Sequence, residues 1–326
     1  MADCRDLIDI CKGHHVYIQT HNFPDPDAIA SAFGLQKLMK HFDIDSTLCY
    51  EGRIDKLSTK KMTELFNINM YAYDQIKDNM SESDYIICVD SQKGGGNITD
   101  FIGDEIACID HHPIYVNTEY KYSDIRFVGS CATIITKYYE ELGIPMDKPT
   151  ASALLYGLKT DTLDFSRGTT LMDIDMFKYL YPRANNDSLK VLEHNNMELN
   201  DLKAYGAAIE NIKIYGSTGF AFIPFSCPDA LIGIISDFML ELNSVDVTVI
   251  YSKREDGYKF SIRSESPSVD AGSVINLALK DVGTGGGHPS MAGGLIKAED
   301  VSKLGPYPDT AIIKRFTYIL GEQTTQ

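Results

Sequence analysis

Residues 21–31, HNFPDPDAIAS, constrain the chain most, because they deliver His21, Asp25 and Asp27 within seven positions, directly after an apolar run. Upstream, Val16 and Ile18 alternate around Tyr17, the pattern of a short strand entering a core. Downstream, Ala28, Ala32, Leu35, Met39 and Phe42 recur with the helical period, and Asp27 stands where an N-cap is expected. The acids are therefore expected on a strand-to-helix turn. In a parallel α/β sheet such a turn faces the crevice outside the carboxyl ends of the strands, where ligands bind. Pro24 and Pro26 keep the residues before them extended. Taken alone, Asp25 and Asp27 read equally well as turn and cap residues.

The same design recurs further on. DYIICVD (84–90) is an apolar strand ending in Asp90, and EIACIDHH (105–112) is another, ending in Asp110, His111 and His112. TASALLYGLKTDTLDF (150–165) has the helical period and runs into Asp161. Between them, STLCYEG (46–52) reads as a strand, KLSTKKMTELF (56–66) as a helix, and GSCATIITKYYEELGI (129–144) as a helix opened by Gly129 and Ser130. Any one acid here has an ordinary explanation as a cap, a polar loop or a helix end, but four such places in order make a set. Carboxylate and imidazole donors suit two divalent cations, Mn²⁺ or Mg²⁺, and the absence of thiolates from the set disfavours a structural zinc. A bridging carboxylate would hold two ions roughly 3.5–4 Å apart, the geometry that activates water and stabilises an in-line phosphoryl displacement.

Composition limits what such a centre can serve. With 30 basic and 46 acidic residues the net charge is −16, so no long duplex nucleic acid is expected, and a phosphate-bearing substrate must be short and held by metal ions and a few local donors. A chain of 326 residues implies two domains of unequal size. No run of 18 apolar residues suggests a membrane span, and the charged start MADCRDLIDICKG lacks the apolar core of a signal peptide, so a cytoplasmic location is expected. Seven cysteines without a CxxC pair read as reduced thiols.

The expected architecture is α/β. A parallel-sheet catalytic domain (1–185) is followed by a polar helical linker (186–215) and a smaller α/β domain (216–326), with the active-site cleft between the domains. In the smaller domain TGFAFIPF, VDVTVIY and YKFSIRS alternate as strands, and PDALIGIISDFMLEL and DAGSVINLALK read as helices. Arg263 lies at a strand end, where a guanidinium can grip phosphate bidentately. The run GTGGGHP, with Gly285, Gly286, Gly287 and His288, reads as a loop whose backbone N–H groups approach a phosphate or sugar, although a flexible turn is its ordinary meaning.

The order His-x3-Asp-x-Asp, Val89-Asp90, Asp110-His111-His112 and Asp161 resembles the DHH phosphoesterases, and GTGGGHPSMAGG (283–294) resembles the glycine motif of the DHH-associated domain in the RecJ-like and nanoRNase branches. The resemblance implies that His21 and Asp25 hold one metal and that Asp27, His111 and Asp161 hold the other. Asp90 would bridge the two ions. It further implies that His112 faces the phosphate and acts with Asp90 in catalysis, and that Asp110 orients a neighbouring histidine. Which histidine of the pair ligates stays open. Substrate contacts are expected from His112, Ser130, Arg263, Gly285, Gly286, Gly287 and His288. The chain departs from the pattern at Pro26, at Ala30 in place of the usual Gly, at Thr284, and at Met291 where Ala is usual. The implied activity is a phosphodiesterase with two divalent ions, Mn²⁺ foremost and Mg²⁺ or Co²⁺ as alternatives. Its substrates would be very short nucleotides: nanoRNA, pApA, cyclic di-AMP or pAp. An inorganic pyrophosphatase or exopolyphosphatase and a non-catalytic nucleotide sensor are the alternatives, and the oligomeric state stays open, with a homodimer as one candidate.

Overall fold

The first strand is short because the chain must turn at Pro24 and Pro26, and that turn sets the frame of the whole N-terminal unit. A computed structural model describes residues 3–54, 56–114, 116–194 and 197–323. The chain divides into two compact units, residues 1–196 and 197–326. The N-terminal unit runs α1 (Cys4–Cys11), β1 (Val16–Thr20), α2 (Pro26–His41), β2 (Ser46–Tyr50), α3 (Leu57–Leu65), β3 (Met70–Ala72), α4 (Tyr73–Ile76), β4 (Tyr85–Val89), β5 (Asp104–Asp110), β6 (Tyr122–Ile125), α5 (Cys131–Leu142), α6 (Lys148–Asp161), α7 (Leu171–Leu180) and α8 (Asn186–Glu193). Its sheet is parallel throughout, in the order β3-β2-β1-β4-β5-β6.

That order reverses direction between β1 and β4, and a crevice opens at such a reversal outside the carboxyl ends of the strands. Thr20 pairs with Val89 and Val89 with Ile109, so His21, Asp90 and Asp110 leave the sheet on neighbouring strands at the same edge. Alternation sends Val16, Ile18, Ile87 and Val89 into the main core with α2, α5 and α6, and Tyr17, Cys49, Ile86 and Cys88 into a smaller core on the opposite face. Gly157 in α6 brings two helices together: a Cβ there would meet the Ala30 Cβ at 3.0 Å and the Asp27 Cα at 3.1 Å. One turn later α6 ends at Asp161, on the same face. The Ala30 departure is thus absorbed by a glycine on the opposing helix.

The C-terminal unit contains α9 (Asp201–Glu210), β7 (Lys213–Tyr215), β8 (Thr218–Ile223), α10 (Asp229–Leu240), β9 (Val247–Arg254), β10 (Gly257–Ser264), α11 (Ala271–Ala278), β11 (Thr284–Gly287), β12 (Met291–Lys297) and α12 (Pro308–Gln323). Its mixed sheet has the order β11-β12-β10-β9-β8-β7. Helices α11 and α12 pack with Tyr258, Phe260 and Ile262 on one face, and α9 and α10 pack with Ala221, Ile223 and Ile250 on the other. Of the helices in the expected linker, α8 falls in the first unit and α9 in the second, while Asn195 and Asn196 lie outside the described residues.

Candidate metal centre

The turn after β1 differs from expectation in its capping. Asp25, not Asp27, is the N-cap of α2, and its Oδ1 accepts the Ala28 N–H at 3.0 Å. Pro26 explains the shift, since it occupies the first helical position, where a missing N–H costs nothing. Asp27 is thereby released from capping its own helix and caps another. Its Oδ2 accepts the Cys131 N–H at 2.7 Å and its Oδ1 the Ala132 N–H at 2.9 Å, so the carboxylate sits on the N-terminus of α5. The buried Asp173 holds the approach to that helix by accepting the Gly129 N–H at 2.9 and 3.1 Å.

Six expected ligands then converge. One ligand atom each from His21, Asp25 and Asp90 lies within 4.8 Å of the others, as is true of Asp27, His111 and Asp161. Asp90 faces both groups: its Oδ2 is 3.7 Å from His21 Nε2 and its Oδ1 is 3.3 Å from His111 Nε2. His111 Nε2 is also 3.2 Å from Asp161 Oδ2. The tautomers suit ligation. Nδ1 of His21 lies 2.8 Å from the Asn22 carbonyl and Nδ1 of His111 lies 3.0 Å from the Val128 carbonyl. A carbonyl only accepts, so each Nδ1 carries a proton, and Nε2 is the nitrogen left to ligate an ion once the ring is neutral.

Asp90 Oδ1 and His111 Nε2 are buried without a hydrogen-bond partner. Buried polar atoms are ordinarily satisfied, and two left open where six carboxylate and imidazole side chains meet fit a cation. The electrostatics agree. Burial, reinforced by the Asp90 and Asp161 charges, pushes Asp27 well above the usual carboxylate range. Burial also raises Asp161 to about 6, with the Asp25 and Asp90 charges adding to it and His111 opposing. Burial alone would lower His21, but Asp25 and Asp90 raise it to about 9. Without a cation the centre holds protons; with divalent ions the carboxylates ionise and the imidazoles are neutral. Asp90 itself adopts φ +58°, a left-handed conformation that a non-glycine residue takes only under constraint.

The two histidines that the sequence left open differ in their partners, and one ligand atom each from Asp90, His111 and His112 also lies within 4.8 Å of the others. His111 points Nε2 at Asp90 and Asp161, whereas His112 Nδ1 lies 2.7 Å from Asp110 Oδ1. Asp110 is fully buried, and its Oδ2 accepts from Gln92 Nε2 at 2.7 Å. Burial opposes its ionisation, yet the hydrogen bonds from His112 and Gln92 hold Asp110 below the usual carboxylate range. Gln92 was not singled out from the sequence, because nothing in its spacing distinguishes it from any polar residue after a strand.

Other expected site residues are engaged differently. Ser130 is buried as the N-cap of α5, where its hydroxyl accepts the Thr133 N–H at 3.2 Å. Expected to touch substrate, it is turned into the helix instead, satisfying an N–H that has no partner within the helix. The glycine segment is not a loop: β11 and β12 form an antiparallel hairpin at the sheet edge, with Gly285 opposite Gly294 and Gly286 opposite Gly293. A Cβ on Gly285 would meet Ile275 at 2.7 Å, and one on Gly287 would meet the Met291 carbonyl at 2.5 Å, so these two glycines serve packing. Gly286 faces open space. The His288 N–H donates to the Met291 carbonyl at 2.7 Å, closing the hairpin turn. Arg263 is paired through Nε with Asp237 of α10 and donates from Nη1 to Ser261 Oγ at 2.9 Å.

Residues 15–158 match the model of the DHH family N-terminal domain, and residues 217–304 match that of the DHHA1 domain. The chain belongs to the DHH family. An uncharacterized protein of Methanocaldococcus jannaschii is 29% identical over 315 residues, a match that spans 93% of this chain and 64% of that protein. The cyclic-di-AMP phosphodiesterase PdeA of Listeria monocytogenes is 23% identical, over 88% of this chain and 46% of PdeA. A probable manganese-dependent inorganic pyrophosphatase of Bacillus licheniformis is 26% identical over 74% of each chain. This DHH protein therefore spans less than two thirds of the length of the first two relatives. Every residue of the two three-ligand groups lies within the DHH match except Asp161, which follows it by three positions.

Proposed function

We propose that this DHH protein is a phosphodiesterase that uses two divalent ions to hydrolyse very short nucleotides, with nanoRNA, pApA, cyclic di-AMP and pAp as the candidate substrates. The observation that carries the reading is Asp90: one carboxylate faces His21 with one oxygen and His111 with the other, between two three-ligand groups. In this reading His21, Asp25 and Asp90 hold one ion, and Asp27, His111, Asp161 and Asp90 the other. The oxygen and imidazole donors suit Mn²⁺ or Mg²⁺. Two bound ions would supply an activated water and neutralise charge on the phosphoryl oxygens. In this reading His112, fixed by Asp110, faces the phosphate, and Arg263, Gly286 and His288 are further candidate substrate contacts. A DHHA1 domain behind the catalytic domain, and likeness to PdeA over 88% of the chain, favour a nucleotide substrate. Likeness to manganese-dependent pyrophosphatases favours a second reading, in which pyrophosphate or polyphosphate is cleaved at the same centre. Hydrolysis of pApA, cyclic di-AMP, pAp, short RNA, pyrophosphate and polyphosphate with Mn²⁺ decides between them. Turnover of pyrophosphate above every nucleotide would overturn the first reading.

A further inference from the structure

The chain beyond Asp161 folds in a way that neither motif nor spacing announces. Helix α6 ends in a reciprocal pair of bonds: the Asp164 N–H reaches back to the Lys159 carbonyl at 2.8 Å and the Leu163 N–H to the Thr160 carbonyl at 3.3 Å. This termination normally uses glycine at its left-handed position. Here Leu163 takes that position at φ +47°, and Asp164 and Phe165 follow at +52° and +70°. Three successive non-glycine residues in the left-handed region are costly, and such strain persists where a site requires it.

The turn folds the chain back onto the metal centre. The Arg167 N–H donates to the Thr162 carbonyl at 2.9 Å, and Nη2 of Arg167 donates to the Asp161 carbonyl at 2.7 Å while lying 3.5 Å from Asp161 Oδ1. Among the described residues, the ion pairs bring one Lys or Arg side chain onto a carboxylate of the two ligand groups, and it is Arg167. Nη2 of the guanidinium is thereby anchored, while Nε and Nη1 make no hydrogen bond among the described residues. Its side chain is 28% exposed.

We infer that Arg167 binds a phosphoryl oxygen of the substrate beside the centre, donating from the N–H groups that its contact with Asp161 leaves unused. The inference rests on the proposed function. Two divalent ions balance the four carboxylates of the ligand groups, so a bound phosphate adds negative charge that only further cations can match. A guanidinium held by a main-chain carbonyl is already ordered, and its unused N–H groups can donate to phosphate. In a chain of net charge −16 a fixed local cation has to do what a broad basic surface does elsewhere.

The test compares Arg167→Ala, Arg167→Gln and Arg167→Lys with the unaltered protein by calorimetry, first with Mn²⁺ alone and then with inorganic phosphate added to the Mn²⁺-loaded protein. The expected result is unchanged Mn²⁺ affinity with inorganic phosphate binding weakened about tenfold or more in the Ala and Gln variants and partly restored in Lys. On any hydrolysed substrate, KM should rise more than kcat falls. Loss of Mn²⁺ in the Ala and Gln variants would make Arg167 a support for Asp161 and overturn the inference, as would unchanged phosphate binding. Gln keeps a donor for the Asp161 carbonyl, so it carries the test if Ala unfolds. Failure of the unaltered protein to hydrolyse any nucleotide would sink the proposed function, while the phosphate titration would still judge Arg167.

Discussion

Asp27 and Cys131 are 104 positions apart in sequence, yet the Cys131 N–H donates to Asp27 Oδ2 at 2.7 Å deep in the N-terminal unit. The contact ties the turn after β1 to the start of α5, so a side chain assigned to the metal centre also closes the fold. Asp27→Ala should therefore fail twice. It would leave the Cys131 and Ala132 N–H groups buried and unpaired, at about 1–3 kcal/mol, and remove a ligand. Thermal unfolding in excess chelator reads the first loss alone, and an unchanged melting temperature there would dismiss the structural role.

Asp90→Ala should abolish turnover and reduce bound Mn²⁺ by more than the roughly 10–100-fold that loss of a supporting group costs, because one carboxylate serves both ligand groups. Metal content after dialysis checks this. Retention of both ions with near-normal turnover would end the two-metal reading.

Metal uptake should release protons. In the metal-free protein His21 titrates at about 9 and so is charged at pH 7, whereas a ligating imidazole must be neutral. Asp161, at about 6, adds a second proton to be displaced at lower pH. Both groups lose affinity for protons when the ion binds, so Mn²⁺ affinity should climb as pH rises through 6 and continue climbing to about 9. Calorimetry at pH 7 in buffers of different ionisation enthalpy should register more than one proton released per chain, because His111 and Asp27 are held above their ordinary ranges together with His21. No release would contradict the charge state argued for His21.

The hairpin glycines should divide into two kinds. Gly285→Ala drives a methyl into Ile275 and should cost about 1–3 kcal/mol, visible as a lower melting temperature. Gly286→Ala meets nothing within 4 Å and should leave stability unchanged, so any rise in KM it causes reports on substrate. Equal destabilisation by both would deny the distinction.

Much of the N-terminal unit was legible because its buried parallel strands are apolar runs, each closed by an acid or a histidine, and because α2, α5 and α6 keep the helical period. His21, Asp90 and His111 stood out because they follow those strands, while the assignment of ligands to two metals came from the resemblance to the DHH phosphoesterases. Strands β3, β6 and β7 escaped notice because three or four residues are too few to show a strand's alternation. β11 and β12 were hidden for another reason: glycine has no side chain with which to show a strand's alternation, so a hairpin spelled in glycine looks like a loop. Gln92 and Arg167 act through tertiary contacts, which leave no periodic trace.

The left-handed backbone at Asp90 places shape and chemistry in opposition at a single residue. Glycine would relax the +58° φ and remove a charge from a crowd of carboxylates, so the metal-free Asp90→Gly protein should melt at a higher temperature than its parent while catalysing nothing. A selection for heat resistance alone, blind to turnover, would discard this residue early. An engineer stabilising the scaffold has to hold it fixed and seek gains elsewhere.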